Sequence, residues 1–392
     1  NNAAPWKWQV KAYHRRHDDQ FQLFRESDGY YRYADGYFIR GEADTARFTP
    51  TFFYTFHNRH RTQVSGTDAA VQRRWKAGTT ALAAHARWER IRSNVLGEPL
   101  DEPIEAPGAR EPFTRGTQRQ NLALHLDHRV ELGRWGVDVG VLFNTNSDFA
   151  PEWAPGIDLY HRWSGGHVTY ANAGRAFRFP TWTDLYYTRG GAQGSKDLQP
   201  EHAEHLELGH RIHRDRWSLV VCAWRRMGDD LIDWVRLPGD PVTQATNLTQ
   251  VDLNGVELQF DLKPGAGKGR GGVLYAYQWS DQQDFPFTSL YVLDHLEHNA
   301  VLWWVQRVAE RWMFRTDLSW RTRYSTYTSF PDGQAVAYPA PLRLDLRIDR
   351  TIGRVTLHVG ATNLLDAEQV DRGNVLLPGR WLTAGVRVEW GR

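Results

Sequence analysis

The segment Glu201-His-Ala-Glu-His205 carries the residue types of a zinc site, with imidazole nitrogens and carboxylate oxygens close together. On a helix, side chains four positions apart share a face, but this segment begins a stretch that alternates like a strand. In a strand, His202 and His205 point to opposite faces, and the same objection applies to His295 and His298. We therefore expect no zinc centre.

Carboxylates cluster in Gly228-Asp-Asp-Leu-Ile-Asp233, where Asp229, Asp230 and Asp233 could offer oxygen ligands to Ca²⁺ in a loop. A solvated turn is the simpler interpretation, so these residues are only a weak calcium candidate. The glycine-rich residues 264–270 lack the spacing of a phosphate-binding loop and precede a strand pattern, which predicts a flexible turn. We expect no cofactor.

Aromatic side chains follow Arg178 in the segment that contains Trp182, Tyr186 and Tyr187. Flat rings with a polar edge can stack on a bulky ligand, so these four residues are the candidate ligand-binding residues. Packing within the loop is the alternative. No Ser-His-Asp arrangement stands out, and we expect no catalytic residue and no enzyme.

Composition limits the class of protein that positions these residues. Mean hydropathy is −0.61, and no apolar run approaches the ~18 residues of a membrane helix, which excludes a helical membrane protein. The net charge of +2 argues against nucleic-acid binding, and the single Cys222 excludes an intrachain disulfide. Eighteen tryptophans beside two methionines fit a lipid–water boundary or a carbohydrate-binding surface.

Alternation of apolar and polar residues predicts strands throughout the chain. Near the end, Leu342, Leu344, Leu346 and Ile348 alternate with Arg343, Asp345, Arg347 and Asp349. Isolated charges are costly in hydrocarbon, so the charged side must be exposed to water or internally paired. The interior of a wide barrel meets this condition, and so does the solvent face of an ordinary antiparallel sheet.

The connections favour the barrel because short and long ones alternate. Tight turns are predicted at 76–78, 132–134, 164–166, 213–216, 264–271, 309–311 and 350–353. Long connections are predicted at 95–113, 145–152, 177–198, 237–246, 281–290, 325–340 and 363–379. An up-and-down transmembrane β-barrel has this parity, with short periplasmic turns and long outer loops. We expect an all-β antiparallel barrel of about 16 strands, or 18 if residues 26–61 contain a further hairpin.

Tryptophans near strand ends are predicted to form girdles at the membrane boundary. They are Trp6, Trp8, Trp88, Trp303, Trp304, Trp320, Trp381 and Trp390.

Two segments resemble TonB-dependent receptors. The first is Gly174-Arg-Ala-Phe-Arg-Phe-Pro-Thr-Trp-Thr-Asp-Leu-Tyr-Tyr187, followed by Asp197-Leu-Gln-Pro-Glu201 and Leu206-Glu-Leu-Gly209. The second is Gly360-Ala-Thr-Asn-Leu-Leu-Asp366, followed by Pro378-Gly-Arg380 and the final strand. Asn247-Leu-Thr and Gly255-Val-Glu257 are further matches. The sequence departs from the pattern at Phe179, usually a small residue, and at Gln199, usually lysine. Residues 15–19 and 91–97 resemble a cobalamin-receptor-like branch.

The resemblance implies a 22-stranded barrel in the outer membrane of a Gram-negative bacterium, with an N-terminal plug and a TonB-binding box. We expect residues 1–392 to form only a barrel domain, about the last 16 strands, without plug or box. The opening residues NNAAPWKW show no signal-peptide pattern, so we expect a processed or truncated start. The implied partners are outer-membrane lipid, TonB, a plug and a nutrient ligand such as a metal–siderophore complex or cobalamin. The alternatives are a plug-less, porin-like diffusion channel and a soluble carbohydrate-binding all-β protein.

Overall fold

The computed structural model of the chain describes most of the sequence. Described are residues 6–21, 32–34, 37–39, 47–48, 58–106, 112–189, 191–237, 239–240, 242–263, 265, 269–280, 287–289, 294–309, 311–329, 334–371 and 375–390. In these ranges, no helix is long and apolar enough to cross a membrane.

Sixteen long strands form the wall of the molecule within the described ranges. The first eight are β1 (Trp6–Phe21), β2 (Asn58–Trp75), β3 (Gly78–Ser93), β4 (Phe113–Leu132), β5 (Trp135–Asn146), β6 (Glu152–Arg162), β7 (His167–Arg178) and β8 (Glu201–His213). The remaining eight are β9 (Trp217–Arg236), β10 (Thr243–Leu262), β11 (Arg270–Ser280), β12 (Leu296–Val308), β13 (Trp312–Arg323), β14 (Leu342–Ile352), β15 (Val355–Thr362) and β16 (Trp381–Val388).

Short elements decorate the connections. A single α-helix is described, α1 (Trp182–Tyr186), and Ser164–Gly166 forms a 3-10 turn. The short strands are Arg32–Ala34, Tyr37–Ile39, Arg47–Phe48, Glu98–Ile104, Ala192–Gln193, Thr288–Ser289, Thr326–Thr328 and Ala335–Ala337.

Every wall strand pairs antiparallel with the next one along the chain, which confirms the up-and-down topology. Tight and long connections alternate as predicted except around β10, where the connection 237–242 is no longer than the connection 263–269. We call the two ends of the wall the turn end and the loop end. Among the described residues, β1 and β16 do not pair with each other, so the sheet is open there. These strands form one continuous sheet, not the two stacked sheets of a soluble sandwich.

The ambiguous stretch 26–61 does not add a hairpin to the wall. Phe21 lies opposite Asn58, so β1 pairs directly with β2 and leaves no place between them. Three short strands in this stretch form a separate small sheet. The aromatic run Phe52, Phe53, Tyr54 and Phe56 lies outside the described residues.

One side of the sheet, the apolar face, carries aligned aliphatic side chains. The register places Leu82 opposite Leu126 and Leu126 opposite Val141, and further along the wall Leu206 lies opposite Ala173. Leucines on this face are largely exposed in the isolated chain, with Leu208 at 61%. Exposed leucine on strand after strand is unusual for a water-soluble surface and indicates a face that contacts something apolar.

The opposite side, the charged face, carries acids and bases paired along and across the strands. Arg343 Nε donates to Asp345 Oδ1 over 2.9 Å, and Arg347 Nη2 donates to Asp349 Oδ1 over 2.7 Å. On neighbouring strands, Arg129 Nε donates to Asp138 Oδ2 over 2.7 Å. The charges that alternation placed on one side are therefore internally paired.

The girdle prediction is wrong for two tryptophans, which lie on the charged face. Trp303 lies opposite Gly272 on the charged face, and Trp381 shares the parity of Thr383 and Arg387. Consecutive tryptophans in a strand must point to opposite faces, so only Trp304 of the pair in β12 reaches the apolar face.

Aromatic rings on the charged face lie directly opposite glycines of the neighbouring strand. The pairs are Tyr13–Gly66, Tyr160–Gly136, Tyr170–Gly209, Trp224–Gly255, Trp303–Gly272 and His358–Gly385. A Cβ on each glycine would overlap the ring. The missing side chain therefore lets the ring lie flat across two strands instead of projecting from the wall.

The substitution Gly209→Ala should lower the free energy of unfolding by about 1–2 kcal/mol because the new methyl group displaces the Tyr170 ring. The matched control is Gly156→Ala in β6, where a Cβ would lie 3.8 Å from the nearest atom, the Ala173 carbonyl oxygen. Denaturant unfolding in detergent micelles measures both. Equal effects of the two substitutions would contradict the close packing.

Candidate functional site at the loop end

The connection after β7 contains α1, and the local sequence explains where the helix begins. Pro180 lacks an N–H and ends ladder pairing. Thr181 is the N-cap: its Oγ1 accepts from Asp184 N over 3.2 Å, and Asp184 Oδ2 accepts from Thr181 N over 2.9 Å. This reciprocal capping box satisfies N–H groups that a helix end leaves unpaired.

Two buried clusters hold α1 against the loop end of the wall. Trp182 packs on Ile91, Val95 and Leu96, at the end of β3 and just beyond it. Leu185, three residues further along the helix, packs with three other buried residues. They are Leu198, Ile232 and Ala245. The helix therefore connects the end of β3 to β9, to β10 and to the segment just before β8.

Arg178 connects the last residue of β7 to the helix and to the next strand. Its Nε and Nη2 donate to the two carboxylate oxygens of Glu201 over 2.5 and 2.8 Å, and its Nη1 donates to Asp184 Oδ2 over 3.1 Å. Glu201 Oε1 also accepts from Ile232 N over 2.6 Å. Hydrogen bonding to Glu201 raises the pKa of the Arg178 guanidinium, which lies at the rim beyond the apolar side chains of β7.

Arg119 of β4 also holds the α1 loop in place. Its guanidinium lies over the Trp182 ring, 5.0 Å from the ring centroid, and Nη1 donates to the Pro180 carbonyl oxygen over 3.0 Å. Nε donates to Glu89 Oε2 over 2.6 Å, which fixes the guanidinium in place. The alternation pattern gave no signal for this role because Arg119 and Trp182 are distant in sequence.

Asn247 of β10 contacts both β9 and the segment just before β8. Its side-chain Nδ2 donates to the Gln199 carbonyl oxygen over 3.0 Å, and its Oδ1 accepts from Gln199 N over 2.9 Å. Nδ2 also donates to the Asp230 carbonyl oxygen over 2.5 Å. The position of Asn247 within a family motif was the sequence signal, but its partners depend on the strand register.

The four candidate ligand-binding residues lie together at the rim, in different environments. Trp182 is buried as a packing anchor, and Arg178 is engaged by Glu201 and Asp184. Tyr186 and Tyr187 are partly exposed; the Lys196 Nζ lies 5.4 Å from the Tyr186 ring centroid, and Tyr187 Oη accepts from Asn58 Nδ2 over 3.3 Å. Ligand contact stays a prediction; Arg178 is the most exposed of the four residues, and the two tyrosines are the partly exposed aromatic rings.

The weak calcium candidate is not supported by the geometry. The segment is neither loop nor turn, because β9 continues through it, and Asp229 lies opposite His202 of β8. Asp233 is fully buried and accepts from Trp234 N over 2.7 Å and from the Ser289 hydroxyl. Throughout the described ranges, no group of three or more metal-binding side chains converges.

The histidines of the candidate zinc motif lie in β8, as alternation predicts. His202 Nε2 is 2.9 Å from Glu152 Oε2, and His205 Nε2 is 3.4 Å from Glu207 Oε2. Each therefore has its own carboxylate partner.

Comparison with known proteins identifies the family of the chain. Residues 1–364 match the family model described as TonB dependent receptor-like, beta-barrel. The chain belongs to this family. Its members are receptors and transporters of the Gram-negative outer membrane, not enzymes. Asn247 and Glu201, which fix the rim, lie in the segments that carried the resemblance.

Similar sequences include two proteins named vitamin B12 transporter BtuB. The one from Vibrio vulnificus is 25% identical over 114 residues, which is 29% of this chain and 18% of that protein. The one from Photobacterium profundum is 22% identical over 199 residues, which is 50% of this chain and 31% of that protein. The chain thus spans less than a third of the length of these curated relatives.

Similar solved structures show the same fold. The siderophore receptor PirA from Acinetobacter baumannii superposes with a TM-score of 0.69 at 13% identity, covering 99% of this chain and 60% of PirA. The ferric enterobactin receptor PfeA from Pseudomonas aeruginosa gives a TM-score of 0.67 at 14% identity, covering 97% of this chain and 59% of PfeA. At such low identity the likeness extends to the fold alone.

Proposed function

We propose that this chain forms the barrel wall of an outer-membrane receptor that imports a scarce nutrient, a ferric siderophore or cobalamin. The observation that carries the proposal is the loop end, where buried Trp182 and paired Arg178 hold the α1 loop with Tyr186 and Tyr187 partly exposed. Amphipathic rings on a rigid rim suit a bulky, partly apolar chelate. The names of the similar proteins, B12 transporter and enterobactin receptor, support these nutrient classes.

In this proposal the wall does no chemistry. Its apolar face contacts membrane lipid, which accounts for the exposed leucines, and its charged face lines a wet interior. The long connections face outside, so the nutrient meets them first. Energy for import is supplied by TonB acting through a plug domain, as in the family to which the chain belongs.

Uptake by living cells tests the proposal. The full-length protein, expressed in a Gram-negative host without its own receptors, should import labelled cobalamin or ferric enterobactin only when TonB is present. Steady conductance in planar bilayers together with TonB-independent uptake would contradict the proposal and favour a passive channel.

The substitution Tyr186→Ala should weaken nutrient binding by about tenfold, since stacking contacts of one ring contribute about 1 kcal/mol or more. Binding is measured by quenching of intrinsic fluorescence in detergent. The control is Trp163→Ala at the turn end, where a more exposed ring lies far from the rim. If both substitutions leave affinity unchanged, Tyr186 is a packing residue only.

A further inference from the structure

A cluster of arginines lies at the loop end of β1, β2 and β3 on the apolar side of the wall. Its members, here called the arginine patch, are Arg16, Arg61, Arg90 and Arg92. The register places Asp18 opposite Arg61 and Arg61 opposite Arg92. Alternation along β3 puts Arg90 and Arg92 on the side of Leu82 and Trp88, so the patch continues the apolar row.

The positive charge of the patch is only partly balanced. Asp18 accepts from Arg61 Nε over 2.6 Å and from Arg16 Nε over 2.8 Å. Within the described ranges, no carboxylate pairs with Arg90 or Arg92. Asp18 thus pairs with only two of the four guanidinium groups, and the Nε of Arg92 is enclosed without a hydrogen-bond partner in the described part of the chain. An enclosed, unsatisfied donor is unfavourable unless an acceptor joins it.

Packing against an aromatic ring holds part of the arginine patch in place. The Arg61 guanidinium lies 5.3 Å from the centroid of the Phe113 ring, and only 14% of its side chain is exposed. Trp88, the last apolar side chain before Arg90 on this side of β3, has the amphipathic character of a boundary residue. Guanidinium groups are costly in hydrocarbon, so a lipid-contacting wall must hold them at headgroup level.

We propose that the arginine patch binds the phosphate groups of a lipid headgroup in the outer leaflet. Phosphate offers several anionic acceptors, and the planar guanidinium donates to them in pairs. The position of the arginine patch favours a lipid over a soluble anion, because the patch directly continues the face that carries the exposed leucines. The inference rests on the proposed membrane location of the apolar face.

Lipid A, which carries two phosphate groups on an acylated sugar, is the probe. The full-length protein in detergent micelles should bind it, as measured by native mass spectrometry. The double substitution Arg90→Gln and Arg92→Gln should weaken this binding by at least about tenfold because it removes charge-assisted hydrogen bonds. Dephosphorylated lipid A should bind the unsubstituted protein as weakly as lipid A binds the double variant.

The matched control is Arg87→Gln, on the charged face of the same strand, where Arg87 Nε is 3.0 Å from Glu89 Oε1. It should leave lipid A affinity unchanged. Equal affinity of the double variant, equal binding of dephosphorylated lipid, or displacement by millimolar inorganic phosphate would each overturn the proposal. Heat-modifiable migration of the variants on a gel reports separately whether the barrel forms, so failure of the membrane assignment is distinguishable.

Discussion

Replacement of Leu208 by arginine should lower the free energy of unfolding in a lipid bilayer by about 2–4 kcal/mol. Leu208 lies midway along β8 on the apolar face, between Ala171 of β7 and Ala223 of β9. With 61% of the residue exposed in the isolated chain, a water-soluble protein would tolerate Leu208→Arg with little change. A large loss is expected only if hydrocarbon surrounds this position.

The matched control is Gln259→Arg, at a charged-face position of β10 that should face water inside the barrel. It should change stability by less than about 1 kcal/mol. Urea unfolding of both variants in vesicles, followed by tryptophan fluorescence, measures the difference. Equal and small losses of stability for Leu208→Arg and Gln259→Arg would contradict contact of the apolar face with lipid.

The second large effect is expected for Glu201→Ala at the rim. The change leaves the Arg178 guanidinium and the Ile232 N–H without the acceptor that now satisfies both. Breaking a fully buried pair costs about 3–5 kcal/mol, and the 44% exposure of the Arg178 side chain reduces the expected loss to about 2–3 kcal/mol. The α1 loop should then be cut faster by an added protease.

An exposed ion pair at the same end provides the comparison. Glu98 and Lys196 are joined over 2.5 Å, but their side chains are 51% and 60% exposed. Glu98→Ala should therefore cost less than about 1 kcal/mol and leave the cleavage rate unchanged. If it destabilises the protein as much as Glu201→Ala, the buried contacts of Glu201 are not what holds the rim.

The wall was predictable from sequence because its signals are local. Alternation such as that from Leu342 to Asp349 assigns each side chain to a face, and the parity of the connections orders the strands. These patterns predicted sixteen strands and the paired charges that the structure contains. The sequence left 16 or 18 strands open because strand pairing cannot be read from composition. Direct pairing of β1 with β2 excludes the extra hairpin in the wall.

The rim was only partly predictable because its contacts join distant segments. The capping box of Thr181 and Asp184 is a local contact, but burial of Trp182 beneath Arg119 depends on neighbouring strands. The carboxylates at Asp229 and Asp233 suggested a loop because acidic residues disfavour strands. Packing of β9 between β8 and β10 overrides that local preference.

The flat rings opposite glycines have a consequence for how the sequence can change over time. At Tyr170 and Gly209, a bulkier residue in place of the glycine strikes the ring, and loss of the ring uncovers bare backbone. A substitution at either position is therefore destabilising unless the residue opposite it also changes. We expect descendants of this protein to keep both residues or to exchange them together, with the ring crossing to the other strand.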